Sequence, residues 1–360
     1  MKRISTLDGW RAIAILLVIA DHAAGSIFAP GSDYLNYAKL GGLGVDVFFA
    51  LSGILITRLL LEEHATTGRI SLKAFYVRRA FRVQAPAFIY LAVLAALSLI
   101  WNRAEGLSSL FFLRNYFDTG GPYTSHLWSL AVEEHFYLIW PAVLVAVSVR
   151  YGQRAAMVGA VTIGLWRAVA SHYFPGLFSG SFAPYRTDYR MDSLLWGCVF
   201  GFVLQRREAL RDAVPFMFLY VAIGQFDVSA VHRLLFAVAF PLMISMTATH
   251  PEWLASKALD LAPLRYIGKI SYGLYLWQGV FLVQSLTSPH WWQRSPVNIA
   301  AAFLLASASW HVVDGPLQRL GHKLAKRFKH ADIVPDVVDR TGTAHAGNAL
   351  QVEPLIHVAG

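Results

Sequence analysis

The chain has 360 residues, is 56% hydrophobic and only 15% charged, and carries a formal net charge of +9. A soluble domain normally has about a quarter of its residues charged, so this composition excludes an ordinary soluble enzyme and points to one polytopic membrane protein. The basic residues cluster between apolar runs, which argues against nucleic acid as a partner, and Cys198 is the only cysteine, which excludes disulfides and thiolate metal sites.

The first twenty residues, MKRISTLDGWRAIAILLVIA, have the basic end and apolar core of a signal peptide. Asp21 and His22 interrupt the region where a cleavage site belongs, so the stretch reads as the start of an uncleaved first span over roughly 7–28. Apolar stretches follow at roughly 40–61, 83–101, 127–149, 155–173, 190–205, 213–226, 231–248, 263–286 and 296–313. The sixth and seventh are short for a hydrocarbon core of about 30 Å. Residues 106–117 are apolar but too short to cross, and are expected to lie on the surface or re-enter. The fold class is therefore all-α, a polytopic integral membrane protein with about ten transmembrane helices. Residues 1–320 form the membrane domain, and 321–360 form a basic segment followed by a disordered cytoplasmic tail.

With the N-terminus in the cytosol, nineteen Lys and Arg residues fall inside and six outside (Lys39, Arg103, Arg114, Arg186, Arg233 and Arg294). That bias meets the positive-inside rule and puts both termini in the cytoplasm, with the chain in the plasma (inner) membrane. Orientation turns position into depth. His22 lies about six residues, roughly 9 Å, below the outer edge. Asp46, Glu133 and Glu134 fall six or seven residues down their own spans, and Asp21 lies beside His22. Arg190 and Asp192 open the sixth span near the same side. Toward the cytosol, Arg11 sits one turn into span one, and FYVRRAFR (75–82) brings together Arg78, Arg79 and Arg82. Arg11 and His22, eleven residues apart, share a helix face about 16.5 Å apart along the axis. A ligand with an anionic head at the cytosol and a reactive tip within the membrane matches that layout.

Taken singly, each group has a plainer reading. A lone His in a span as often as not bonds a neighbouring helix. Arg58, Arg78 and Arg79 read as interfacial anchors, Arg167 and Lys269 receive no role, and Trp128 and Trp140 read as packing or belt residues. The number of charged groups at matched levels favours function.

The segments LDGWRAIAILLVIADHA (7–23), GGLGVDVFFALSGILITRLL (41–60), FYVRRAFRVQAP (75–86) and SHLWSLAVEEHFYLIWP (125–141) resemble, in that order, the membrane acyltransferase-3 family. So do YRMDSLLWGCVFG (189–201), IGKISYGLYLW (267–277) and DGP (314–316). The resemblance implies an integral membrane enzyme that takes acyl groups, often acetyl from acetyl-CoA, to hydroxyls of extracytoplasmic glycans, lipids or secondary metabolites. It makes His22 the catalytic His and links Arg11 to the acyl donor. It also matches Phe48–Gly53, the pair Arg79 and Arg82, and Glu133–Tyr137 to family elements. Asp21 stands where many members have a large apolar residue, Gln278 where many have His, and Asp314 where Glu is common.

Acyl transfer needs a base, stabilisation of the oxyanion and exclusion of water. His22 is the natural base at neutral pH. A carboxylate from Asp46 or Glu133, with Glu134 beside it, is expected to hold its ring, because Asp21 points about 100° away on the same helix. Arg11, Arg79 and Arg82 are expected to bind the nucleotide and pyrophosphate of acyl-CoA. The pantetheine arm then threads between spans one and two past Ser52, where LSGI (51–54) lets either a backbone or the arm approach. No metal or nucleic acid is implied. The partners are membrane lipid and a glycan or glycolipid acceptor, such as a surface polysaccharide. The alternatives are acylation of a lipid or secondary-metabolite sugar, or a flippase of lipid-linked sugar; the flippase predicts internal repeats, which the sequence does not show.

Overall fold

The computed structural model describes residues 4–27, 40–117, 119, 121–174, 183–206, 229–282 and 290–331. All regular structure among them is helical: α1 (Thr6–Ile27), α2 (Leu40–Thr67), α3 (Leu72–Arg79), α4 (Ala85–Ala96), α5 (Arg103–Leu110), α6 (Leu127–Tyr173), α7 (Thr187–Arg206), α8 (Ser229–Thr249), α9 (Leu254–Leu259), α10 (Ala262–Phe281), α11 (Val297–Ser309) and α12 (Gly315–Ala331). Two π-helical turns, Ala80–Gln84 and Trp310–Asp314, join α3 to α4 and α11 to α12. In lipid every backbone group must bond within the chain, and helices achieve this within a single segment. Three stretches, Leu40–Thr67, Leu127–Ala170 and Val297–Phe328, are long and apolar enough to cross a membrane. Large apolar side chains also face outward, including Leu138, Val158, Leu165 and Leu304, each more than 60% exposed. Such a surface suits hydrocarbon rather than water.

Helices α6, α7, α2, α1, α10 and α11 pack side by side in that order, and α12 lies on α3. The spans expected at 127–149 and 155–173 are the two arms of α6, with only Ser148 between them outside helical geometry (φ 65°, ψ 149°). Leu144 and Gly152 nevertheless touch. Eight residues of straight helix would separate them by about 12 Å, so the chain doubles back at Ser148. The stretch expected to re-enter or lie flat begins as α5, capped by the Asn102 side chain, which accepts from the Glu105 N–H at 2.8 Å. Arg114, counted in sequence as an outer-loop charge, is only 1% exposed. It donates to Thr124 Oγ1 and to the Phe117 and Gly121 carbonyls. At the other end, α12 runs through residue 320, the expected domain boundary, to Ala331. The expected seventh span, 213–226, and the tail beyond 331 lie outside the described residues.

The LSGI stretch serves backbone approach. A Cβ on Gly53 would meet the Leu194 carbonyl oxygen, and one on Gly197 would meet that of Ala50. The two glycines let α2 and α7 pack almost backbone to backbone, as small residues do between membrane helices. Gly53→Ala is expected to destabilise the fold by about 1–3 kcal/mol through overpacking. A lowered thermal midpoint in detergent would show this, and an unchanged midpoint would deny that the contact is tight.

Candidate active site

The bundle encloses a cavity of about 650 Å³ near the N-terminal ends of α1 and α10. Its wall brings together Arg11, Ser52, Arg79, Arg82 and Glu133 from four separate segments. Helix α1 contributes Arg11, whose NH1 lies 3.0 Å from Asp8 Oδ1 one turn earlier. The α3–π junction supplies the other two arginines. Arg79 lies over the Tyr137 ring, 4.8 Å from its centroid. Arg82 makes no ion pair among the described residues. A π turn widens the helix by one residue and is frequent at functional sites; here one carries Arg82 and Val83 into the cavity wall, and the other carries Trp310.

Next to Arg79 sits a compact hydroxyl–carboxylate triangle. Ser52 Oγ and Tyr137 OH donate to the two oxygens of Glu133 at 3.1 and 2.7 Å, and the two hydroxyls are 3.0 Å apart. The cavity thus combines three guanidinium groups with hydroxyl and carboxylate groups, which suits an anionic ligand with a polar arm.

His22 lies outside the cavity lining. Its Nδ1 is 2.9 Å from Gln278 Oε1 on α10. That corrects the expected carboxylate partner, because Asp46 and both glutamates are engaged elsewhere. Asp46 pairs with Arg190 at 2.8 Å, tying α2 to α7. Glu133 belongs to the triangle above, and Glu134 accepts from Gln84 Nε2 at 2.7 Å. Height along each span was legible in sequence, but the partner around it comes from α10, which packs along α1. With Nδ1–H donating to the amide oxygen, Nε2 is left as the basic lone pair, the tautomer a general base requires. Asp21 accepts from the Gly41 backbone N–H in the first turn of α2, where the helix has unpaired donors. Its place beside His22 is accounted for by this cap.

Several residues escaped the sequence reading. Tyr275 lines the cavity and donates to the His126 carbonyl, with Ser129 Oγ 3.1 Å away. The His126 ring packs edge-on against Tyr275 and Tyr90, with centroids 5.2 and 5.8 Å apart. His126 Nε2 is buried with no partner, and the imidazole is close enough to His22 for their charges to interact. Ser129 and Tyr275 thus link the cavity lining to the buried His126. No spacing signal marks His126, which lies just before an apolar run. Lys269, given no role in sequence, also lines the cavity. Arg167 pairs with Asp192 at 2.7 Å and so has a structural role. Among the described residues no His/Cys/Asp/Glu group is arranged to hold a metal.

Among the described residues, an all-helical bundle with an outward apolar face and a cationic inner cavity is consistent with a membrane protein that holds a polar ligand. The chain belongs to the acyltransferase-3 family, matching its acyltransferase domain over residues 4–311. Among curated proteins it is similar to the peptidoglycan O-acetyltransferase OatA of Listeria monocytogenes serovar 1/2a, with 31% identity over 368 residues, covering 89% of this chain and 56% of that protein. The putative peptidoglycan O-acetyltransferase YrhL of Bacillus subtilis is 30% identical, over 91% of this chain and 56% of its own. The O-acetyltransferase OatA of Staphylococcus aureus (strain NCTC 8325) is 29% identical, over 88% and 57%. The chain thus spans little more than half the length of these relatives. No solved structure matches it.

Proposed function

We propose that this chain is a membrane O-acyltransferase that moves an acyl group, acetyl foremost, from cytosolic acyl-CoA to a hydroxyl of an extracytoplasmic carbohydrate. The observation that carries the reading is the cavity that gathers Arg11, Arg79 and Arg82 together with Ser52, Glu133 and Tyr137. Coenzyme A is a polyanion at one end and a thioester at the other, and this cavity offers cations for the first and hydrogen-bonding groups for its polar arm. Ten spans with both termini in the cytosol, as the positive-inside count requires, put the arginines at the cytosolic end. Acetyl-CoA as donor agrees with relatives named O-acetyltransferases, and a glycan acceptor with the two named for peptidoglycan.

In the proposed reaction, His22 Nε2 takes the proton of the acceptor hydroxyl as its oxygen attacks the thioester carbonyl. The C–O bond forms, the C–S bond breaks, and the thiolate leaves with a proton as CoA. Gln278 holds the ring through Nδ1. The thioester end and the acceptor meet near Ser129, Tyr275 and His126, whose burial keeps water from hydrolysing the donor.

The test is transfer from labelled acetyl-CoA supplied to the outside of sealed inverted vesicles, for wild type and His22→Ala. Label reaching luminal carbohydrate with wild type alone supports the reading. Equal labelling by both would remove His22 from the chemistry, and luminal label without acetyl-CoA consumption would favour transport.

A further inference from the structure

Beside the mouth of the arginine cavity, α12 carries a second, more open groove of about 480 Å³. Its lining includes Trp310, Gln318, Arg319, His322, Lys323 and Lys326. Arg319, Lys323 and Lys326 recur at i, i+4 and i+7, so they project from one helix face. All three are exposed, and none has a carboxylate partner among the described residues. The helix is held against the arginine segment itself: Gly321 meets the Phe81 ring, next to Arg82. Trp310, Gln318 and His322 line both hollows, so the groove continues the cavity rather than standing apart from it.

An isolated basic amphipathic helix would be read as a lipid-facing surface element. Two features point inward instead. The groove shares lining residues with a cavity already lined by three arginines, and one of the shared residues, Trp310, supplies an indole, an aromatic group suited to contact with a purine. Coenzyme A bears two separate anionic groups, a pyrophosphate and a ribose 3′-phosphate. Arg11, Arg79 and Arg82 match the first, and the second requires its own cations at the adenosine end.

Building on the donor proposed above, we infer that the α12 groove binds the 3′-phosphorylated adenosine end of acyl-CoA. Lys323, Lys326 and Arg319 hold the phosphate, and Trp310 faces the base. An anionic lipid headgroup shares the phosphate chemistry, and the experiment separates the two sources.

The full chain in nanodiscs of zwitterionic lipid is titrated with CoA and with 3′-dephospho-CoA by calorimetry, as wild type and as Lys323→Gln/Lys326→Gln. Both substitutions are on exposed positions and leave the packed face of α12 untouched. Wild type is expected to bind CoA about tenfold more tightly than dephospho-CoA. The variant is expected to lose that preference by weakening for CoA alone. Equal affinity of wild type for both compounds would overturn the inference and leave the CoA donor intact. Binding of neither would sink the donor reading as well. A further titration in nanodiscs with 30% anionic lipid checks the other source: if the variant differs from wild type only there, and equally for both compounds, the groove serves lipid and the inference fails.

Discussion

His22→Ala is expected to slow acetyl transfer by about 10²–10⁴-fold, the range that a positioned general base contributes. Its affinity for CoA should stay near that of wild type, because His22 lies outside the cavity that gathers the arginines. Gln278 gives the sharper test. Its Oε1 is the partner of His22 Nδ1, at 2.9 Å, and it is buried. Gln278→Leu removes the acceptor that fixes the tautomer and frees the ring to turn. The expected result is a fall in kcat of about ten- to a hundredfold, the size of effect seen when an orienting partner of a functional His is removed, with KM for acetyl-CoA little changed. Gln278→Glu keeps an acceptor on Nδ1 and should retain more activity than the leucine variant. Steady-state rates on purified protein decide the matter: a Gln278→Leu enzyme as fast as wild type would mean that this hydrogen bond does not position the base.

The largest expected effect on stability lies away from the chemistry. Arg167 and Asp192 are 4% and 0% exposed and meet through two contacts, NH1 to Oδ1 at 2.9 Å and NH2 to Oδ2 at 2.7 Å. Arg167 NH1 also donates to the Tyr189 carbonyl at 3.2 Å. The pair locks the second arm of α6 onto α7. Arg167→Met leaves a buried carboxylate without its counter-charge, and removal of one member of such a pair costs about 3–5 kcal/mol. The double variant Arg167→Met/Asp192→Leu removes both charges and is expected to recover most of that loss, since a well-packed apolar pair is often as stable as a buried ion pair. Thermal unfolding in detergent of wild type, both single variants and the double variant measures the coupling. Additive losses, with the double variant the least stable, would show that the two side chains stabilise the bundle independently.

Much of the site was legible in sequence because membrane depth is nearly one-dimensional. Each charged group in an apolar run has a height set by its distance from the run's end, at 1.5 Å per residue. That reasoning placed Arg11, Arg79 and Arg82 at one end, and they do share one cavity with Ser52 and Glu133. It failed for the partner of His22. Asp46, Glu133 and Glu134 stand near its level in the sequence, yet they turn to Arg190, to Ser52 and Tyr137, and to Gln84. Direction around a bundle depends on which helices neighbour each other, and no run of residues encodes that locally. For the same reason His126 and Tyr275, 149 positions apart, could not be joined by reading along the chain. The division of 127–173 into two spans was also legible in the sequence, and the structure puts the break at Ser148, where the backbone leaves helical geometry.

By itself, then, the sequence determined that the chain is built of helices apolar enough to cross a membrane and where its charges stand along them, because burial in hydrocarbon forces apolar runs of defined length and makes every charge within them conspicuous. Only the tertiary structure decided that an amide rather than a carboxylate holds His22, that Asp21 caps the helix beside it, and that α12 folds back next to the arginines. Those outcomes depend on close packing between helices far apart in the chain, α1 on α10 and α12 on α3. Each helix presents several polar groups, and the packing selects the one that meets its neighbour.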